Sequence, residues 1–301
     1  MIDKQATINK TKSVLLFSMF FVVIIVLGYV LGSIFQFGVY FGVFFGFVFS
    51  LLSALFSYYY GDKLVLKISK AREVTRNEYP YLFETIEKLR KEAKIPMPKI
   101  HVMPGDQINA FATGRNPKNA SISVTEGAMM KLNKEELEGV LAHELSHIKN
   151  FDIRFMVLTA VMVGTIVMLS HFFIRSFIFS GMNNRDRGNA NALVLAIGFI
   201  LAILSPIFAN LIKLAISRRR EYLADNSGVL LSKNPRGLAN ALRKIANDKN
   251  ELKTANGATA HLFISNPFKK KNFFLGLVST HPPLESRISK LEESIKRNEK
   301  L

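Results

Sequence analysis

Two histidines four residues apart, with a glutamate beside the first, are the residues of this sequence best suited to chemistry. They form the segment His143-Glu144-Leu145-Ser146-His147. On a helix, side chains at positions i and i+4 lie on the same face, so the two imidazoles can bind one zinc ion. The glutamate next to the first histidine is then placed to take a proton from water at the metal. The spacing therefore predicts metal-assisted hydrolysis with Glu144 as general base.

The surrounding residues predict the helix that this chemistry requires. Asn133 is followed by Glu136 at the spacing of a capping box, which begins a helix. The apolar stripe of helical period that follows comprises Leu137, Val140, Leu141, Leu145 and Ile148. We therefore expect an amphipathic helix from Lys134 to about Asn150.

A catalytic zinc site also needs a third protein ligand and an open position for water. The chain has no cysteine, and no histidine follows His147 within the next two helical turns. The third ligand is therefore a distant histidine or a carboxylate. The best carboxylates are Glu221 and Asp225, at positions i and i+4 of a predicted helix. One of them can bind the metal while the other accepts the N–H of a ligand histidine.

Long uncharged runs predict that the chain crosses a membrane. Of its 301 residues 49% are hydrophobic, and no charged residue lies between Ser13 and Gly61. Because a spanning helix needs about 20 apolar residues, this stretch predicts two spans. Two later runs predict two more, and the four predicted spans are Ser13–Phe35, Gly38–Tyr60, Phe155–Ile174 and Ala192–Leu214. Gly38, Gly42 and Gly46 indicate either a close helix contact or the ordinary glycine enrichment of spanning helices.

The charge distribution predicts the orientation in the membrane. The formal net charge is +17, and most basic residues near the ends of the spans lie on one side. The positive-inside rule then puts both termini and the soluble segments in the cytoplasm. Two predicted spans separate His147 from Glu221, so both emerge on the same side. We predict no nucleic-acid partner, because no basic run is interleaved with stacking aromatic residues.

The remaining patterns predict an α+β fold, mainly α-helical, with a small β-sheet. We expect a helix at Asn77–Ala93 and strands at Lys99–Met103, Ile108–Thr113 and Ala120–Thr125. The predicted units are a transmembrane hairpin at 1–60, a cytoplasmic part at 61–154, a second hairpin at 155–214 and a cytoplasmic part at 215–301. His171 is predicted near the outer membrane interface, and His101 and His261 are predicted to be structural or surface residues.

In combination, these motifs resemble the HtpX group of bacterial membrane metalloproteases, relatives of the CAAX prenyl proteases. The matching segments are 143–147 with Asn150, 221–225, 108–114, 262–267 and 280–283, and the resemblance covers essentially the whole chain. It implies a zincin-like cytoplasmic domain carried by four transmembrane helices. It also implies one Zn²⁺ ion per chain bound by His143, His147 and Glu221, with Glu144 as base and with Asp225 and Asn150 behind the ligands.

The resemblance implies roles for residues farther along the chain as well. His281 matches a histidine that stabilises the oxyanion, although Pro282 and Pro283 also suit the first turn of a helix. Arg287 is expected to pair with a glutamate or with substrate carbonyls. The strand with Asn109, Ala110, Phe111 and Ala112 is either the edge that a substrate peptide joins or a plain core strand.

The function implied is that of a multi-pass protease of the bacterial inner membrane, with its active site in the cytoplasm. Its partners would be the lipid bilayer and polypeptide substrates, above all misfolded or damaged membrane proteins during stress. Two other functions stay open: processing of prenylated peptides, and membrane transport through a metal site. The sequence does not indicate an oligomeric state.

Overall fold

The computed structural model describes residues 11, 14–15, 17–29, 38–162, 164–165, 168, 218–255, 259–268 and 282–298. This part of the chain is mainly α-helical with one small mixed sheet, as predicted. Its helices are α1 (Phe17–Tyr29), α2 (Val39–Ile68), α3 (Pro80–Ala93), α4 (Glu126–Lys131), α5 (Lys134–Lys149), α6 (152–162), α7 (Arg218–Ser232), α8 (Pro235–Asn247) and α9 (Leu284–Asn298). Its strands are β1 (Arg72–Glu73), β2 (Lys99–Met103), β3 (Ala110–Asn116) and β4 (Asn119–Thr125).

The sheet has the strand order β1-β2-β4-β3, so β3 lies at an edge. β2 and β4 are parallel, whereas β3 and β4 form an antiparallel hairpin. Alternate residues of the strands point to opposite faces. One face, which includes Ile100, Ile122 and Val124, belongs to the main hydrophobic core. The other face packs Met103 and Phe111 against Val65 of α2 and Met156 of α6.

Helix α5 lies in the middle of this core, and it confirms the predicted amphipathic helix. The Asn133 side chain accepts from the N–H of Glu136, and the Glu136 side chain accepts from the N–H of Asn133. All five residues of the predicted apolar stripe are buried. α5 packs against α3, α7, α8 and strand β3. A helix surrounded on so many sides holds its side chains in one fixed orientation.

Among the described residues, one helix, Tyr40–Ile68, is long and apolar enough to cross a membrane, with a mean hydropathy of 1.9. It covers the predicted second span from Tyr40 onward and continues eight residues beyond Tyr60, so the predicted domain boundary at residue 60 falls inside a helix. Only the stretch 17–29 of the first predicted span is a continuous described helix. A Cβ atom on Gly28 would lie 2.4 Å from the carbonyl oxygen of Gly42, so α1 and α2 are in backbone contact.

The predicted second transmembrane hairpin lies mostly outside the described residues. The described residues of the third predicted span, 155–162, 164, 165 and 168, are helical, and α6 begins three residues before the span. The fourth predicted span and His171 lie outside the described residues. The number of four spans therefore stays a prediction.

Two element boundaries differ from the predicted ones. α3 begins at Pro80 rather than Asn77, because proline suits the first helical position and disfavours the helical conformation of the residue before it. Strand β3 runs over Ala110–Asn116 rather than 108–113. Its predicted start is taken by side-chain hydrogen bonds instead, since the Ile108 N–H donates to Asp248 and the Asn109 N–H to Thr125.

Two glycines let α5 approach its neighbours at backbone distance. A Cβ atom on Gly228 of α7 would lie 3.0 Å from the His143 nitrogen of α5. A Cβ atom on Gly139 of α5 would lie 2.6 Å from the Leu238 nitrogen of α8. Gly228 thus sets the distance from α5 to α7, which carries Glu221, whereas Gly139 sets the distance to α8.

We expect Gly228→Ala and Gly139→Ala each to destabilise the fold by about 1–3 kcal/mol, because the added methyl meets backbone atoms that cannot rotate away. Thermal unfolding in detergent measures this effect. Only Gly228→Ala should also weaken metal binding, measured by competition with a chromophoric chelator, because it shifts α7. Stabilisation by Gly228→Ala, the usual result for a helix glycine in open surroundings, would contradict the close packing.

Candidate metal centre

Three donor atoms from α5 and α7 converge at one point. The Nε2 atoms of His143 and His147 lie 3.2 Å apart. Glu221 places Oε1 3.6 Å from the His147 Nε2 atom and Oε2 3.8 Å from the His143 Nε2 atom. All three residues are buried, and one donor atom from each lies within 4.8 Å of the others.

This donor set fits a zinc ion. Tetrahedral coordination with bonds of about 2.0–2.1 Å separates the ligand atoms by roughly 3.3 Å, close to the distances observed. Two imidazoles and one carboxylate are also a common protein ligand set of catalytic zinc, which leaves a fourth position open. His143, His147 and Glu221 are therefore able to hold a metal ion.

Each histidine is oriented by a carboxylate behind it. The Nδ1 atom of His143 lies 2.9 Å from Asp225, and the Nδ1 atom of His147 lies 3.0 Å from Asp152. A carboxylate only accepts hydrogen bonds, so each Nδ1 carries a proton, and in the neutral ring that a metal requires each Nε2 then directs its lone pair at the common point. The sequence placed Asp225 in this role but missed Asp152.

Each of these carboxylates is in turn paired with a buried arginine. Arg287 of α9 donates to Asp225 through Nη2 at 2.6 Å and through Nε at 2.9 Å, and it also donates to the Ile264 carbonyl oxygen. Arg220 of α7 lies 3.6 Å from Asp152. Both imidazoles are thus supported in the same way, each by an aspartate that is itself paired with an arginine.

The formal charges of this buried cluster suit a divalent cation. Four buried carboxylates, those of Glu144, Asp152, Glu221 and Asp225, face two buried guanidinium groups. Two negative charges are left over when the histidines are neutral. Charges buried in a protein interior have to be paired or to bind metal, and one doubly charged ion between the three donors completes the balance.

Glu144 lies beside the donors on α5 and is almost fully buried. Burial raises its pKa to about 7, against the effect of a hydrogen bond from the Ala112 backbone N–H. A carboxylate with a pKa near neutrality both accepts and releases a proton at physiological pH. A general base needs this property, and Glu144 is the residue that the sequence predicts for that role.

The pKa values of the two histidines move in opposite directions. Burial and the positive charge of Arg287 lower the pKa of His143 to about 4. Burial also lowers the pKa of His147, but the hydrogen bond to Asp152 and the charge of Glu221 outweigh it and raise the pKa to about 9. Burial raises the pKa of Asp225, yet Arg287 and the His143 hydrogen bond bring it down to about 2.

The other predicted site residues lie around this centre or outside the described chain. Asn150 is buried and ends α5, with its backbone N–H on the Ser146 carbonyl oxygen, and its predicted role behind the ligands stays a prediction. His281 lies outside the described residues. Arg287 pairs with Asp225 and lies 3.6 Å from Glu221, which agrees with the expected carboxylate partner. His101 and His261 are both buried, and the His261 Nε2 atom lies 3.0 Å from the Met156 carbonyl oxygen.

The predicted substrate strand is the edge strand β3, but part of its edge is already in use. The Asn109 side chain donates to Gln107 and to the Ser265 carbonyl oxygen. The Ile264 N–H donates to the Ala110 carbonyl oxygen at 2.9 Å. Ala112, two residues on, therefore points to the same edge, where its N–H contacts Glu144. Counting from the start of β3, Ala112 is thus the first residue whose outer edge faces Glu144.

Asp152 and Arg220 are the site residues that the sequence analysis did not identify. Asp152 follows the His143–His147 segment at a distance of five residues and lies at the start of α6. Arg220 directly precedes Glu221. The one sequence signal for Asp152 is that it is an acidic residue at the first position of an apolar helix. The sequence does not show that this carboxylate contacts His147, because the contact depends on the fold.

Comparison with known proteins identifies the family. Residues 76–295 match the sequence model of Peptidase family M48. The chain belongs to peptidase family M48.

Curated relatives of this M48 peptidase agree with the assignment. A "Protease HtpX homolog" of Thermococcus sibiricus is 48% identical over 240 residues, covering 79% of this chain and 82% of the relative. Proteins of the same name from Dictyoglomus turgidum and Pyrococcus furiosus are 46% and 48% identical over 241 residues each, and they too cover 79% of this chain, with 78% and 81% of their own lengths matched. The resemblance and the enzyme class predicted from the sequence are confirmed: the protein is a metalloprotease.

A solved structure shares the fold of this M48 peptidase. The crystal structure of S. mikatae Ste24p matches with a TM-score of 0.52 and 19% sequence identity, covering 96% of this chain and 66% of that chain. This chain thus spans just under two thirds of the length of that structure. At this identity the likeness concerns the fold alone.

We expect metal binding by this M48 peptidase to release about one proton at pH 7. The His147 pKa of about 9 means that its imidazole is protonated there in chelator-treated protein, whereas a metal ligand must be neutral. The apparent affinity for zinc should therefore weaken as the pH falls below 9. Isothermal titration calorimetry in buffers of different ionisation enthalpy measures the released protons, and a value near zero would contradict the shift.

We expect Asp152→Asn to weaken zinc binding by about 10–100-fold, the usual cost of losing a carboxylate behind a ligand histidine. An asparagine at this position no longer stabilises the Nδ1 proton of His147 with a full negative charge. Asp106→Asn, at an exposed position of the β2–β3 connection, is the matched control. Equal zinc affinity of the two variants would show that Asp152 does not support the ligand.

Proposed function

We propose that this M48 metalloprotease is a membrane-embedded zinc endopeptidase that cleaves misfolded or damaged membrane proteins at the cytoplasmic face. The convergence of His143, His147 and Glu221, with Glu144 beside them and a strand edge facing them, is the observation that carries the proposal. We assign the three converging residues as the zinc ligands, one ion per chain, and Glu144 as the general base.

The chemistry divides between the ion and the chain. A bound zinc ion would polarise the scissile carbonyl and lower the pKa of its water toward about 7. Glu144 accepts the proton of the attacking water and then passes it to the leaving amine, for which its pKa of about 7 is suited. Asp152 and Asp225 keep the ligand imidazoles in the required tautomer and orientation.

We assign binding of the substrate backbone to the outer edge of β3 at and beyond Ala112. β3 is an edge strand whose inner side is paired with β4, and its outer N–H and C=O groups beyond Ala112 face away from β4, where an added strand can pair. The contact between Ala112 and Glu144 supports this placement, because a peptide there lies next to the general base. Residues 264 and 265 occupy the outer edge of β3 near Ala110, so an added strand cannot extend past that point.

His281 keeps its predicted role as oxyanion donor in this proposal. Supporting it is the position of α9, which starts three residues later and brings Arg287 to within 3.3 Å of the His143 ring. The described helix that follows position 281 is therefore tied to the metal centre through Arg287.

The proposed location rests on the apolar helices next to the site. α2 is long enough to span a bilayer, and α6 begins at residue 152, directly after the helix of the metal ligands. The positive-inside rule orients the four predicted spans with both termini and the site in the cytoplasm. Substrates that this site reaches first are polypeptides at the surface of the same membrane.

Glu144→Gln tests the function. The amide cannot accept the proton, so we expect hydrolysis of an unfolded protein substrate to fall by about 10²–10⁴-fold while one zinc per chain is retained.

Glu221→Ala should lose both metal and activity. Glu138→Gln, on the surface of the same helix beside Lys88, is the control that should keep both.

Metal analysis and a cleavage assay on the same purified protein measure both quantities. A Glu144→Gln protein that cuts at the wild-type rate would refute the assigned base. Normal zinc content in Glu221→Ala would show that another residue is the third ligand.

A further inference from the structure

Two arginines from different parts of the chain meet over two tyrosines in the C-terminal half of α2. The guanidinium carbon of Arg115 lies 5.8 Å from the ring centre of Tyr58 and 5.0 Å from that of Tyr59. The guanidinium carbon of Arg154 lies 5.7 Å from the ring centre of Tyr58. We call these four residues the arginine–tyrosine cluster. It lies outside the metal centre, and the proposed hydrolysis does not use it.

The two positive charges of the cluster have no acidic partner within the described part of the chain. Arg154 donates through Nε to the Arg115 carbonyl oxygen at 2.8 Å, which fixes the two residues side by side. Neither of these two half-buried arginines forms an ion pair with a described carboxylate, and the exposed Lys118 adds a third positive charge in the following turn. Like charges held together in this way repel each other unless an anion lies between them.

The position of the cluster along α2 indicates what kind of anion it meets. The uncharged part of α2, from Val39 to Gly61, is roughly 34 Å long at about 1.5 Å per residue. A bilayer has a hydrocarbon core of about 30 Å, so Tyr58 and Tyr59 lie at the level of the headgroups. Tyrosines are typical of this level, and Tyr59 is 51% exposed. Phosphate groups of lipids are the anions present there.

We propose that the arginine–tyrosine cluster binds the phosphate headgroup of an anionic phospholipid from the cytoplasmic leaflet. The two stacked guanidinium groups face the phosphate, while the tyrosine rings lie along the upper part of the acyl chains. The proposal rests on the membrane embedding of the proposed function. It does not depend on zinc or on hydrolysis.

Lipid binding here would hold the β3–β4 turn at the bilayer surface. Arg115 lies on β3 three residues after Ala112, and β3 packs along α2. Phe111 contacts the core beside Val65, seven residues farther along α2 than Tyr58. The strand therefore runs toward the membrane as it passes from Phe111 to Arg115. A bound headgroup would set the height of the substrate edge above the bilayer.

Native mass spectrometry of the full chain tests the proposal. The protein carries Glu144→Gln, so that no self-cleavage occurs, and it is extracted from vesicles of phosphatidylcholine and phosphatidylglycerol in equal amounts. We expect one phosphatidylglycerol per chain to be retained. Arg115→Gln with Arg154→Gln should weaken retention by about 30-fold, the product of two charge contributions of the usual size at an anionic membrane surface.

The control is Arg76→Gln, which removes an arginine that also stacks on an aromatic ring, that of Phe83, away from α2. It should retain phosphatidylglycerol as the parent does. If the double variant unfolds at a lower temperature in detergent, Arg115→Gln alone is used, with an expected loss of about fivefold.

Three results would overturn the lipid site. They are equal retention of phosphatidylglycerol and phosphatidylcholine, unchanged retention in the arginine variants, and displacement of the lipid by an excess of inorganic phosphate, which would indicate a site for a soluble anion. A failed membrane embedding is recognised separately, because the parent protein would then be released from vesicles by alkaline carbonate. A failed peptidase assignment changes only the cleavage assay.

Discussion

The burial of charge around two imidazoles is the constraint on which the rest of this structure depends. His143 and His147 face a common point only because Asp225 and Asp152 hold their other ring nitrogens. Those aspartates are tolerated in the interior because each lies against a buried arginine. A buried ion pair contributes little to stability by itself, and breaking one leaves an unpaired charge at high cost. The network is therefore a device for orientation, and it ties helices α5, α7 and α9 to one centre.

The elements close to the metal ligands could be predicted well from the sequence, because their signals are local. The capping box at Asn133, the stripe on α5 and the i, i+4 pair all depend on residues within a few turns of one another. The strand at Lys99–Met103 coincides with its prediction for the same reason, a short apolar run between turn residues. The spacing of Glu221 and Asp225 indicated that one binds the metal and the other supports a ligand histidine, and the family resemblance assigned the supporting role to Asp225.

Other features depend on contacts between distant parts of the chain, which no local pattern reveals. The hydrogen bonds of Asp248 and Thr125 delay the start of β3, and Asp248 lies 140 residues from its partner Ile108. The contact of Asp152 with His147 could not be predicted, because it depends on how the chain turns between α5 and α6. The approach of Gly228 to His143 likewise joins residues that are adjacent only in the folded chain.

The position of Arg287 has a consequence for the time at which the enzyme is completed. This residue lies on α9, the last helix described, 144 positions after the histidine that it contacts. While the ribosome is still translating the preceding segments, Asp225 lacks its guanidinium partner and the two-layered arrangement behind His143 is unfinished. The support behind His143 is therefore completed only when α9 has been synthesised and has packed against α7, later than the segments that carry the three candidate metal ligands.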